Sequence, residues 1–475
     1  MPTQFDQFEN RMRKFAYASV LRQLSSHIHE AQKQDSARVQ APWVAERLVL
    51  WVLRDEVLAY GDKPMQATDL NKVLNMAWSG MDSEFQWFSP DNPLRLSLRA
   101  MLLAQLPHQR GQEIGPFGRQ IDLLNQLDKY SRLYQLLEST LQMPPKDYLA
   151  MAGLFRVNAG QDISRVFSAK YRGELVRIFG QETVTRFFQT LLVPREATAM
   201  QMSEPHPDEW FQPNLLYRSP FTTYNGQWFF WGRCGLDRHL EFALSDIVGA
   251  SADAQARRTF EDMFEVYVGS SLASTRAEVL DENAVRRRFN VEGGCCDYAI
   301  VEDNAITLLE VKNKALAHTF PASASVRTYK SKLKSTIVKA AEQLRNTGRF
   351  VEKSLLFASI HRVTVTYGDL YVAEADHLFD ERSHERKAEH PVYILSVDHL
   401  DKLAEAVRLG QCTFASFFAD YSARQQDPVS RLFTPAQLLE LEPYQLQQQP
   451  ARLVETYMPF CDELTERFSG RAETC

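Results

Sequence analysis

The chain has no apolar run approaching the roughly 20 residues that a membrane-crossing helix needs, and its N-terminus lacks the pattern of a secretory signal. Both absences lead to the expectation of a cytoplasmic protein with no membrane association. Cysteine is scarce. The six in 475 residues (Cys234, Cys295, Cys296, Cys412, Cys461 and Cys475) contain no C-x-x-C, so they form neither a zinc frame of that spacing nor a secreted disulfide scaffold. No repeat of fixed period emerges. An excess of positive charge is missing too: 54 Lys and Arg stand against 60 Asp and Glu, a net charge of −6, so the whole molecule is not a polycation. What remains is 44% hydrophobic and 24% charged, the balance of a globular chain, and its length implies two or three domains.

The chain is organised around Cys296-Asp297-Tyr298-Ala299-Ile300-Val301, an acidic turn, and the run AITLLEVKNK from Ala305 to Lys314. Together they read as a β-hairpin. With Asp303-Asn304 as a two-residue turn, Glu302 faces Ala305, and counting outward sets Asp297 opposite Glu310. Directly opposed residues have Cβ atoms about 4.5–5.5 Å apart, where two carboxylates repel. Either one is protonated or a cation lies between them, and the apolar neighbours Tyr298, Ile300, Leu308, Leu309 and Val311 strengthen the repulsion. A small set of oxygen ligands suits Mg²⁺ or Mn²⁺ better than zinc. Lys312 shares the face of Glu310, because residues two apart in a strand point the same way. The alternative at this point is a half-buried hairpin in which Lys312 pairs with a carboxylate and nothing more. Around the hairpin, Arg286, Arg287, Arg288, Lys314, Arg327, Lys330, Lys332, Lys334, Lys339, Arg345 and Arg349 meet far fewer acids. A basic patch around an acidic centre suits a phosphodiester substrate.

Taken in order, residues 1–202 read as helices that serve as a scaffold, a partner-binding unit or a sensing unit. Phe5, Phe8, Met12 and Phe15 recur at helical spacing, and Pro42 opens a further helix. Thr68 or Asp69 caps one that Gly80 ends. Helices are expected over 94–106, 121–141, 148–155 and 175–192. His27 and His29, two apart on a helix, diverge and make a poor metal pair. Residues 203–250 read as a linker over 203–213, a hairpin about Asn225-Gly226 and a short helix over 240–247.

Residues 251–410 begin with an amphipathic helix over 253–273, with Phe260, Phe264, Tyr267 and Ser271 on one stripe and Glu265 able to reach the hairpin from its rim. A strand over 284–291 and a Gly293-Gly294 turn lead into the hairpin. A helix over 325–347 follows, with Gln343 at the margin of its apolar face. Strands over 355–365 (continued by 370–372) and 392–397 precede a helix over 400–407. His377, His384 and His390 lie in a charged loop and read as solvated. Residues 411–475 read as a peripheral helical tail.

The succession of helix with Glu, strand, strand with Asp, strand with E-x-K, helix with Gln and two strands resembles the PD-(D/E)XK nuclease superfamily over residues 253–407. The resemblance implies a restriction-endonuclease-like α/β (α+β) domain, a mixed sheet flanked by helices, preceded by the large all-α N-terminal region. It implies Asp297 and Glu310 as ligands of Mg²⁺ (or Mn²⁺), with Lys312 orienting the attacking water and stabilising developing negative charge. Glu265, in F-E-V-Y-V, resembles the helix glutamate that completes the metal shell in many members. Gln343, in A-A-E-Q-L, resembles the helix glutamine of the branch that includes recombination and phage-type exonucleases, although no tyrosine follows it at that branch's spacing. Cys296 stands where the family name has proline. The implied activity is hydrolysis of phosphodiester bonds in DNA, in a setting such as defence against foreign DNA. Arg286, Arg287, Arg288, Lys314, Lys330, Lys332, Lys334 and Lys339 would hold the backbone. A protein partner for the N-terminal helices and a homo-oligomer are further expectations. The rival is a catalytically silent nuclease-like subunit that binds DNA or assembles with other proteins.

Overall fold

The computed structural model describes residues 4–33, 41–84, 105, 108, 115–192, 215–315, 331, 333–372, 391–427, 430 and 433–469. The expected helix over 94–106 apart from Gln105, the linker over 203–213 and the three loop histidines lie outside these residues.

Among the described residues, four α-helices come first: α1 (Gln4–Met12), α2 (Tyr17–Lys33), α3 (Pro42–Arg54) and α4 (Ala67–Glu84). Pro42 sits in the first turn of α3, where a missing N–H costs nothing. Every residue of α3 from Pro42 to Leu53 is buried, which makes it the centre of this group. In α4, Asp69 accepts the Gln66 N–H at 3.2 Å. The helix starts at Ala67 and runs through Gly80, since one interior glycine costs only about 1 kcal/mol.

The expected single helix over 121–141 is two, α5 (Gly115–Asn125) and α6 (Arg132–Leu141). Ser131 caps the second, its hydroxyl accepting the Tyr134 N–H at 3.2 Å. After α7 (Pro145–Gln161), the run over 175–192 is also split, into α8 (Ala169–Phe179) and α9 (Gln181–Thr190), at Gly180 with φ 85°. The hairpin β1 (Phe221–Tyr224) and β2 (Gln227–Phe230) turns at Asn225 and Gly226, with φ 49° and 74°, both positive as a tight hairpin turn requires. The short helix expected over 240–247 is the middle of a longer one, α10 (Arg233–Ala250).

Further along lie α11 (Ala254–Ala273), β3 (Glu278–Asp281), α12 (Glu282–Phe289), β4 (Tyr298–Glu302), β5 (Ala305–Lys312), α13 (Lys339–Lys353), β6 (Ser359–Thr366), β7 (Val392–Ser396), α14 (Val397–Arg408), α15 (Phe414–Arg424) and α16 (Ala451–Ser469), with short helical turns between some of them. A π-helical turn, Lys334–Val338, leads into α13. The strands form one sheet in the order β3-β4-β5-β6-β7, antiparallel from β3 to β5 and parallel from β5 to β7. Leu309, Val311, Val363 and Val365 face one core, with Phe264 and Tyr267 of α11 and Leu400 of α14. Ile306 and Leu308 face another, under Leu333, Ile337, Ala341 and Leu344. The result is a mixed α/β sheet covered on both faces. Among the described residues no helix is long and apolar enough to cross a membrane.

Other expectations need correction. The strand expected over 284–291 is α12. Asp281 accepts the Ala284 N–H at 2.7 Å, Glu282 lies in the first turn, Arg286 to Arg288 lie in the last, and Asn290 closes it at φ 52°. Acid at the start and base at the end complement the helix dipole, and the buried Val285 and Phe289 stand four apart, the spacing of one helix face. Residues 370–372 add no strand; Leu370 and Val372 are buried as irregular chain. The tail is not peripheral: Phe414, Phe417, Phe418 and Tyr421 of α15, with Leu453, Phe460 and Leu464 of α16, belong to the main core.

The cores also divide the chain elsewhere than at residue 202. Helices α5 to α9 share a core with the sheet, whereas α1 to α4 pack with Leu215, Leu216, Phe229 and Trp231. One buried polar network ties the larger unit together. Arg119 of α5, 1% exposed, pairs with Asp398 and, at 3.2 Å, with Asp401 of α14. Asp401 in turn accepts the hydroxyls of Tyr267 and Ser271 of α11, each at 2.8 Å.

Candidate active site

The observed register pairs Glu302 with Ala305 and Tyr298 with Leu309, as expected from a turn at Asp303-Asn304. Asp297 lies one residue before β4, so the ladder ends there. The carboxylate takes the place of the next strand bond: Asp297 Oδ2 accepts the Val311 N–H at 2.6 Å. By the alternation of the pleat, Asp297 and Glu310 belong to the same face of the sheet as Ala299, Ile306 and Leu308.

Glu310 is 0% exposed. Its Oε1 pairs with the ammonium of Lys312, the half-buried residue two further along the same face. Its Oε2 is buried and accepts no hydrogen bond. A buried, unsatisfied carboxylate oxygen is costly, and such atoms call for a missing partner. Burial, and then the charge of Asp297, push the Glu310 carboxyl up to about 8, with Lys312 pulling against them. Asp297 is also raised, by burial, against the opposing pull of the Val311 amide and Lys312. Glu265 on α11 is pushed up to about 7 by burial and then by Asp297 and Glu282. These carboxylates oppose one another's ionisation, and one lysine does not offset them.

The structure therefore brings Asp297, Glu310, Lys312 and Glu265 into one electrostatic unit. Glu265 is aligned through the backbone: its carbonyl accepts the Tyr298 hydroxyl at 3.1 Å. Gly269, one helical turn on, leaves room for that ring; a Cβ there would lie 2.8 Å from Tyr298 Cζ. Among the described residues, no group of three or more His, Cys, Asp or Glu is placed to hold a metal ion. Glu265 is thus coupled to the pair by charge without completing a three-acid cluster. The donors that fit a hard divalent cation are the oxygens of Asp297 and the open Oε2 of Glu310. Mg²⁺ takes few protein carboxylates and keeps several waters, so two carboxylates suit it.

Gln343 does not reach the acids through any hydrogen bond; its Nε2 donates to the Cys295 carbonyl at 3.3 Å, two residues before Asp297. Of the basic residues, Arg286 pairs with Glu282 at 2.6 Å and Arg288 with Glu278 at 2.7 Å, so part of the patch is neutralised within the chain. Arg287, Lys334 and Lys339 are exposed, and Lys314 is half-buried just past β5. Lys330 and Lys332 lie outside the described residues. Sequence reasoning missed Glu282, whose charge acts on both Glu265 and Asp297. The Asp281-Glu282 start of a helix, with Arg286 four residues on, was the signal for it. It also missed Asn346 and Thr347, three and four residues after Gln343. Compared with known proteins, the chain matches no family model, no curated protein and no solved structure.

Proposed function

We propose that Asp297, Glu310 and Lys312 form the hydrolytic centre of a nuclease that depends on Mg²⁺ or Mn²⁺ and cleaves phosphodiester bonds in DNA. The observation that carries this reading is the buried Glu310 carboxylate, with one oxygen unsatisfied, on the same face as Asp297. Such an arrangement disfavours the ionised form unless a cation joins it. A divalent ion held there supplies a polarised phosphoryl oxygen and a bound water of lowered pKa. Asp297 stays fixed by the Val311 amide, which leaves its other oxygen for the cation. Lys312 is a compact point charge suited to the negative charge that develops on the phosphate. Glu265, pushed up to about 7, holds or releases a proton near neutral pH at the rim. Exposed Arg287, Lys334 and Lys339 contact the phosphate backbone without reading sequence. The helical units ahead of the sheet dock a protein partner or sense the target, and defence against foreign DNA is the setting proposed for the whole.

A second reading, a silent nuclease-like subunit that binds DNA or assembles with other proteins, is favoured by the Lys312–Glu310 pair, which already neutralises one acid internally. Plasmid incubation separates the two. The nuclease reading expects nicking with Mg²⁺ or Mn²⁺, none with chelator, and a loss of about 10²-fold or more in Asp297→Ala, Glu310→Ala and Lys312→Ala. Wild-type rates in all three folded variants would refute the assignment; no cleavage of DNA or RNA by the native protein supports the silent subunit.

A further inference from the structure

The approach to Asp297, residues 291–296, has no regular structure, yet each of its carbonyls from Val291 to Cys295 accepts a side-chain hydrogen bond. Arg286 of α12 donates to Val291 O at 3.4 Å and to Gly293 O at 2.9 Å. Asn346 of α13 donates to Glu292 O and to Gly294 O, both at 2.7 Å. Gln343 donates to Cys295 O at 3.3 Å, and the Thr347 hydroxyl accepts the Cys296 N–H at 3.0 Å. Gln343, Asn346 and Thr347 stand at i, i+3 and i+4, one face of a helix. Arg349 donates to Asn346 Oδ1 at 3.1 Å, which turns the amide nitrogen of Asn346 towards the loop. Two glycines let the loop come this close. Gly293 has φ 75°, and a Cβ on Gly294 would stand 3.1 Å from Gln343 Cγ.

We propose that this face of α13, with Arg286 opposite, is a clamp that sets the Asp297 carboxylate against the Val311 amide, and that Arg286, Gln343, Asn346 and Thr347 are positioning residues. The clamp is a geometric assignment; its purpose, presenting Asp297 to a divalent cation, rests on the nuclease reading. Glycine loses more conformational freedom on ordering than any other residue, so without external donors a loop with two of them would not hold one carboxylate in one place. Outer partners of this kind typically govern metal affinity by about 10–100-fold. Gln343, expected among the catalytic residues, and Arg286, expected on the nucleic acid, are on this reading part of the scaffold of the site.

Hydrogen exchange at Val311 reads the position of Asp297 with no metal and no activity involved. In the full-length, metal-free protein, Asn346→Ala and Thr347→Val should each lower the protection of the Val311 amide by about tenfold, as expected for a locally opened bond. Protection of β6 should stay at the wild-type level, and Thr347→Ser, which keeps the acceptor, should restore Val311. Mn²⁺ affinity by titration should fall about 10–100-fold in the same two variants. Thr347→Val is nearly isosteric and carries the test if Asn346→Ala does not fold. Wild-type protection of Val311 in Thr347→Val overturns the clamp, whatever the protein cleaves. Loss of protection in a protein that binds no Mn²⁺ and cuts nothing leaves the clamp standing and removes the nuclease reading.

Discussion

Glu310 should make the metal-free protein lose stability as pH rises through the neutral range. Its carboxyl titrates at about 8 in the folded chain and near 4.5 when unfolded. Below pH 4.5 the group is protonated in both states and contributes nothing. Between about 4.5 and 8 the unfolded chain gives up the proton while the native chain keeps it. The native state then binds more protons, so rising pH favours unfolding. Above 8 the penalty is complete. At 1.36 kcal/mol for each tenfold change in proton affinity, the full effect is roughly 5 kcal/mol. The residue is fully buried, so solvent does not screen it away, but its charge is shared with Lys312 and Asp297. We therefore expect the fall in unfolding free energy between pH 5 and pH 8, where part of the full effect develops, to be about 2–3.5 kcal/mol greater in the native protein than in Glu310→Gln. Urea denaturation at pH 5, 6, 7 and 8 in chelator measures it. Saturating Mn²⁺ should flatten the wild-type slope, because a ligand that binds only the folded, ionised form stabilises it. Identical pH slopes for wild type and Glu310→Gln would refute the reasoning, for then Glu310 would carry no displaced proton.

The buried network offers an independent check on how the helices join the sheet. Asp401→Ala removes one partner of Arg119 and the acceptor of Tyr267 and Ser271, and should cost about 3–5 kcal/mol in urea denaturation; a loss under about 1 kcal/mol would mean that solvent or Asp398 compensates. Gly269→Ala should cost about 1–3 kcal/mol by forcing α11 away from Tyr298. Combined with Tyr298→Ala the loss should be smaller than the sum of the two, and strict additivity would show that the ring and the helix do not meet. The cleavage assay on the three hairpin variants and hydrogen exchange at Val311 complete the set.

The heart of the candidate site was legible because it is local. An Asp303-Asn304 turn pins the register of β4 on β5, and a period of two then sets Asp297 and Glu310 on one face and Lys312 beside them. The stripe of Phe260, Phe264, Tyr267 and Ser271 on α11 was legible for the same reason, and all four are buried. Elements failed where a cap went unread. The strand expected over 284–291 is a capped helix with complementary end charges, and the continuous patterns over 121–141 and 175–192 concealed caps at Ser131 and Gly180.

What the chain determined by itself is therefore turn, register and facing, quantities set by neighbours a few residues apart. Tertiary structure decided the rest. Arg119 meets Asp398 across 279 positions, and α5 to α9 share a core with a sheet that begins some way further along the chain. Gln343 turns to the Cys295 carbonyl, and Glu310 is left with a buried oxygen that nothing satisfies. Desolvation depends on what covers a residue from all sides, and no pattern of near neighbours contains that information.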